Sequence, residues 1–155
     1  LIMLGYDKDD LIVIWDFDGT IIDSSHRSNY TNGRLDLDHW KTNSTKENIF
    51  RDTLLPKYEM MRRLHHEGVY QIGCTARELS KHDWEFFFLV GLDKYLAKII
   101  SRPIGVATAD WELKSKQLQP YFNLAPFKDK IKIFYDDNAK NRVALEEMGA
   151  VSLAP

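Results

Sequence analysis

Residues 11–20 read Leu11-Ile12-Val13-Ile14-Trp15-Asp16-Phe17-Asp18-Gly19-Thr20. Five apolar residues in succession suit a strand buried on both faces, as in a parallel sheet. The run ends abruptly in two carboxylates, a glycine and a hydroxyl. Asp16 and Asp18 therefore lie at the carboxyl end of a core strand, where open α/β sheets collect their ligands. Two acids so close repel each other and cost stability unless a cation or a substrate uses them. Further along, Lys130-Ile131-Lys132-Ile133-Phe134-Tyr135 is a second such run and leads into Asp136-Asp137. Aspartates often end single strands as turn residues. Two acidic strand ends about 120 residues apart point instead to convergence on one hard divalent cation. The pattern predicts a metal-dependent enzyme.

The rest of the chain alternates. Strand candidates recur at Leu11–Trp15, Val69–Cys74, Lys98–Ser101, Ile131–Tyr135 and Ala150–Leu153. Between them, 3.6-residue spacing predicts helices over Thr53–Glu67, stopped by Gly68, and over Ser80–Leu96. A shorter helix over Asp110–Gln119 is expected to end near Pro120, and one over Asn138–Met148 closes at Gly149. This rhythm implies an α/β fold, a three-layer Rossmann-like parallel sheet with helices on both faces. One stretch breaks it. Ser24–Asn48 is polar and follows directly on the first acidic motif, so a single domain over 1–155 with a small cap insertion at about 24–50 is expected.

Bulk properties narrow the function. The chain has 155 residues and a net charge of −2, so no global basic field would hold nucleic acid, and any such contact must be local. The single Cys74 can form no intramolecular disulfide and reads as a core thiol, which fits a reducing cytoplasmic setting. No apolar run approaches a membrane span, and the start Leu1-Ile2-Met3-Leu4-Gly5 lacks the features of a signal peptide. A cytoplasmic protein is expected.

Asp16-Phe17-Asp18-Gly19-Thr20, the strand-ending Thr75, a helical Lys114 and Asp136-Asp137 together resemble, in order and spacing, the four motifs of haloacid-dehalogenase-type phosphatases. The resemblance covers Leu11 to Leu153. It implies that Asp16 is the nucleophile that forms an aspartyl-phosphate, and that Asp18 acts as general acid and then general base. It also implies Mg²⁺ held by Asp16, the Asp18 backbone carbonyl and Asp136, with Asp137 nearby. Thr75 and Arg77 would contact the phosphate, the latter through a bidentate grip. Lys114 is preferred to Lys116 as the charge-offsetting lysine because it shares a helix face with Asp110.

A narrower likeness exists. Ser101-Arg102-Pro103 ahead of Asp110-Trp111-Glu112-Leu113-Lys114, with Ser25-His26-Arg27 and Thr75-Ala76-Arg77, is similar to the phosphatase domain of phage-type polynucleotide kinase-phosphatases. That likeness implies that Arg27, Arg77 and Arg102 surround the scissile phosphate, with Thr75 and Ala76 lining the same pocket. Ala76 departs from that subgroup's usual glycine, and the chain contains no Gly-rich phosphate loop ending in Gly-Lys-Ser/Thr. The insertion carries Arg27, Arg34, Lys41 and Lys46 alongside Tyr30, His39 and Trp40, which suits a nucleotide or a nucleic-acid end. The leading expectation is a phosphomonoesterase acting on a nucleic-acid 3′-phosphate. The alternatives are a small-molecule phosphatase such as a 5′-nucleotidase and, from another class, a non-catalytic phosphate-binding module. A phosphomutase would need a larger cap than this chain encodes.

Overall fold

In the computed structural model, residues 5–155 are described in full, together with the backbone of Ile2 and Met3. The centre is a five-stranded parallel sheet. Its strands are β1 (Leu11–Trp15), β2 (Tyr70–Cys74), β3 (Lys98–Ile100), β4 (Ile131–Tyr135) and β5 (Val151–Leu153). Their order across the sheet is β5-β4-β1-β2-β3, which puts β1 at the middle. All five β1 residues are buried, as the unbroken apolar run requires. One face packs Leu11, Val13 and Trp15 against Met61, Leu64, Phe86 and Phe87; the other packs Ile12 and Ile14 against Leu118, Tyr121 and Leu145. This is the three-layer α/β architecture that the alternation predicts.

Register decides where the chemistry sits. Ile131 pairs with Leu11 and Tyr135 with Trp15, so the residues that follow, Asp136 and Asp16, emerge level at one sheet edge. The Asp16 N–H donates to the Tyr135 carbonyl at 2.9 Å and closes the last rung. Below them Trp15 stacks on Tyr135, with ring centroids 4.6 Å apart, and its indole N–H donates to Gln71 at 2.7 Å. Such a buried stacked pair is worth about 0.5–1.5 kcal/mol beyond its area. It ties β1, β2 and β4 together directly beneath the acidic edge.

The helices are α1 (Leu37–Asn43), α2 (Lys46–Ile49), α3 (Lys57–His66), α4 (Lys81–Val90), α5 (Leu92–Tyr95), α6 (Asp110–Asn123) and α7 (Ala139–Glu147). Three differ from expectation. The helix expected from Thr53 begins at Lys57, because Thr53 and Leu54 pair antiparallel with Asp23 and Ile22 and Pro56 takes the N-cap. The expected Ser80–Leu96 helix breaks at Gly91, whose φ of 82° ends α4 before α5 begins. The helix expected to stop near Pro120 runs through it to Asn123. Proline there removes one N–H, while burial of Leu118 and Tyr121 against the sheet keeps the helix going.

The Ile22–Asp23 and Thr53–Leu54 pairing forms a stem. Between its arms the chain makes a 3₁₀ turn (Ser25–Arg27), a hairpin pairing Tyr30–Thr31 with Arg34–Leu35, and helices α1 and α2. Asn32 and Gly33, at φ of 53° and 77°, supply the positive-φ turn that a two-residue hairpin needs. Among the described residues no helix is long and apolar enough to cross a membrane.

Candidate active site

Asp16 is buried at the end of β1. Its Oδ1 accepts from Lys114 Nζ at 2.7 Å and its Oδ2 from the Thr20 hydroxyl at 3.0 Å. The Thr20, Ile21 and Ile22 N–H groups all donate to the Phe17 carbonyl, which curls the chain tightly after the strand. Gly19 permits that curl. Its φ is +80°, and a Cβ there would collide with the Asp137 carboxylate.

Asp136 is fully buried at the end of β4. Its Oδ2 takes Lys114 Nζ at 2.8 Å and the Asn141 amide at 3.0 Å, and its Oδ1 takes the Asn138 N–H at 2.8 Å. Asn138 in turn caps α7. Oxygens of Asp16, Asp136 and Asp137 lie within 4.8 Å of one another, an all-oxygen donor set of the kind a hard divalent cation takes. Burial raises the Asp16 carboxyl well above the usual carboxylate range; Lys114 opposes this and the charges of Asp136 and Asp137 reinforce it. Asp137 is likewise pushed up, first by burial. Burial disfavours charge on Lys114, but Asp16 and Asp136 outweigh it and hold the ammonium protonated. Lys116, by contrast, is exposed and pairs with Glu112 at 3.7 Å.

Asp18 turns away from this cluster. It accepts Arg77 Nε at 2.8 Å and Nη2 at 2.6 Å, and the Ser24 hydroxyl at 2.6 Å. Burial acts to raise its carboxyl, but the Arg77 guanidinium with these hydrogen bonds outweighs that and holds it below the ordinary value.

The arginines expected around a phosphate all hold protein acceptors. Arg77 also reaches Asp83 at 2.9 Å and Asp52 at 3.4 Å. Arg27 makes a two-point contact with Asp52 at 2.9 and 2.8 Å and donates to Ser44 at 3.0 Å. Arg102 donates to the Ala76, Val106 and Thr108 carbonyls and to Asp110, bracing the loop that leads into α6. Thr75 is buried with its hydroxyl accepting the Arg77 N–H at 3.2 Å, and Ala76 contributes its carbonyl to Arg102. Trp40, expected as a stacking surface, packs on the Arg27 guanidinium at 4.2 Å. The sequence reading missed Asp52, Asp83 and Asn141. Asn141 was within reach, three residues after Asn138 in the first turn of α7. Tyr30, at the hairpin, is 65% exposed, and partial burial together with the charges of Asp137, Asp18, Asp110 and Asp16 pushes its phenol up.

Several solved structures share this fold. A haloacid dehalogenase-like family hydrolase of Streptococcus pneumoniae aligns with a TM-score of 0.63 at 15% identity, over 92% of this chain and 83% of that one. A HAD-superfamily hydrolase, subfamily IA, from Geobacter sulfurreducens PCA gives 0.61 at 18%, over 92% and 88%. A chain of the Pnkp1/Rnl/Hen1 RNA repair complex gives 0.64 at 18%, over 94% and 42%. The fold is that of the haloacid-dehalogenase superfamily.

The family is narrower than the fold. A family model described as Bacteriophage T5 5′-deoxynucleotidase matches residues 7–104, and the chain belongs to that family. The 5′-deoxynucleotidase of Escherichia phage T5 is 41% identical over 86 residues, 52% of this chain and 35% of that protein. The matched stretch thus spans about a third of the curated relative's length. Lys114 and Asp136 lie beyond residues 7–104, and only the fold brings them to Asp16.

Proposed function

We propose that this protein is a Mg²⁺-dependent phosphomonoesterase that removes the 5′-phosphate of deoxynucleoside monophosphates through an aspartyl-phosphate. The observation that carries the reading is the meeting of Asp16, Asp136 and Asp137 with Lys114 at the carboxyl edge of the sheet. The family match supports the 5′-deoxynucleotide over the nucleic-acid 3′-end. Internal engagement of Arg27, Arg77 and Arg102 supports the same choice, since their charges are already paired within the protein.

Asp16 attacks phosphorus in line, and the 5′-oxygen leaves with a proton from Asp18. A water then attacks the aspartyl-phosphate, gives its proton to Asp18, and phosphate departs. Asp16, Asp136 and the Asp18 carbonyl, with Asp137 beside them, would hold Mg²⁺, which when bound supplies positive charge for the carboxylates and the phosphoryl oxygens. Lys114 supplies further positive charge where the phosphoryl group transfers. Before substrate binds, Arg77 favours the Asp18 carboxylate. A phosphate dianion beside Asp18 acts in the opposite sense and favours the acid. Tyr30, exposed on the hairpin, is the surface offered to the nucleoside.

The test is phosphate release with Mg²⁺ from 5′- and 3′-deoxynucleotides, 5′-ribonucleotides, a 3′-phosphorylated oligonucleotide and sugar phosphates. Highest kcat/KM on 5′-deoxynucleotides is expected. Preference for the oligonucleotide would return the reading to a 3′-phosphatase, and no release from any of them would leave a binding module.

A further inference from the structure

Asp52 closes the insertion just before its stem, and its side chain is completely buried. One carboxylate there gathers contacts from both sides of the molecule. His26 Nε2 lies 2.8 Å away, Arg27 binds it through two N–H groups, and Arg77 Nη2 approaches its Oδ2 at 3.4 Å. His26 and Arg27 belong to the insertion, and Arg77 follows β2 of the sheet. Arg27 and Arg77 also lie over the same Trp40 ring, at 4.2 and 5.5 Å from its centroid. Two buried guanidiniums this close repel unless an anion lies between them. Asp52 is that anion.

The chain of contact ends at Asp18. Beyond Ser24, what grips its carboxylate is Arg77, through two N–H groups. Arg77 is fixed from behind by Asp83, itself locked in the capping box of α4, and by Asp52. We propose that Asp52 is a positioning residue that sets the Asp18 carboxyl, acting through Arg77. This rests on the reading of Asp18 as the general acid. Without Asp52, Arg77 has one fewer anchor and is pushed by Arg27, and the carboxyl it carries shifts with it. Substrate binding to Asp16 and Lys114 is not touched by this route.

General-acid catalysis is read by the leaving group: a poor one needs the proton and a good one does not. The experiment measures kcat/KM with Mg²⁺ for substituted phenyl phosphates, from a phenyl to a dinitrophenyl ester, with the wild type, Asp18→Asn and Asp52→Asn. Thermal unfolding of each variant checks the fold. The wild type should depend weakly on leaving-group pKa and Asp18→Asn steeply. Asp52→Asn should steepen the same plot, losing about tenfold or more on the phenyl ester and less than about threefold on the dinitrophenyl ester. A uniform loss across the series would make Asp52 merely structural and overturn the proposal. A shallow slope for Asp18→Asn would instead remove the general-acid reading beneath it. Should Asp52→Asn fail to fold, Arg27→Lys keeps the buried charge but lacks the planar fork of two nitrogens that Arg27 lays on Asp52. It should steepen the plot in the same direction, and an unchanged slope would overturn the proposal.

Discussion

Lys114 Nζ sits 2.7 Å from Asp16 and 2.8 Å from Asp136, bridging two strand ends that lie 120 residues apart in the chain. One ammonium thus joins the middle strand to its neighbour at the site itself. Removing it leaves two buried carboxylates facing each other without compensation. Lys114→Met should cost about 3–5 kcal/mol of stability without metal, the usual penalty for breaking a buried pair. It should also lower turnover at least about a hundredfold. Lys116→Ala, on an exposed turn, should stay within about 0.5 kcal/mol and keep its activity. Urea unfolding and phosphate release on both variants decide; similar mild effects would remove Lys114 from the site.

Asp16→Asn separates chemistry from folding. An amide cannot attack phosphorus, so turnover should fall by at least about 10³-fold. The fold should survive, because burial of this carboxylate and its acidic neighbours already work against its charge. Loss of both activity and fold would show the residue to be structural.

Metal and pH should trade places as stabilisers. Asp16 and Asp137 have raised carboxyl pKa values in the folded state, so between the unfolded value of about 3.9 and those raised values the folded chain binds more protons. Their stabilisation is therefore complete below about pH 3.9 and is lost as pH rises through the folded values. Asp18 has the opposite sign: its contribution is present above about pH 3.9 and lost as pH falls through its lowered value. In chelator, Tm should fall as pH rises above about 3.9 through those raised folded values. With Mg²⁺ the fall should disappear, because the cation takes the place of the protons. A Tm rising with pH in chelator would contradict the cluster.

What the sequence made legible tracks what local pattern encodes. The uninterrupted run of β1 and the largely apolar run of β4 announced buried parallel strands, and equal register made their terminal aspartates meet. Lys114 was readable because helical spacing puts it and Lys116 on different faces. Side-chain partners across long loops were not readable. Arg27, Arg77 and Arg102 look in sequence like a phosphate grip, yet their acceptors include Asp52, Asp83 and the Val106 and Thr108 carbonyls, which no periodicity marks. Likewise Pro120 reads as a helix stop, while burial on the sheet overrides it.

Gly19 offers a steric test of the acidic edge. A methyl group there collides with the Asp137 carboxylate on a backbone that side chains rarely adopt. Gly19→Ala should displace Asp137 and the loop together, raising the Mg²⁺ concentration needed for half-maximal activity several-fold. Magnesium titration of activity reads it; an unchanged requirement would place Asp137 outside the metal's reach.

Tyr30 and Trp40 lie on the same insertion but should behave oppositely. Trp40 covers the Arg27 guanidinium, so Trp40→Ala uncovers a buried ion pair and should lower Tm. Tyr30 is 65% exposed on the hairpin, so its ring is open to a substrate at the proposed site. A ring there can stack on a nucleobase, worth about 1–3 kcal/mol, or roughly five- to 150-fold in binding. Tyr30→Ala should raise KM for 5′-deoxynucleotides by several-fold or more, leave Tm unchanged and spare a small aryl phosphate. Tyr30→Phe should retain most of the wild-type KM, because stacking needs the ring and not the hydroxyl. An equal rise in KM on the aryl phosphate would mean that Tyr30 shapes the entrance rather than reads the nucleoside.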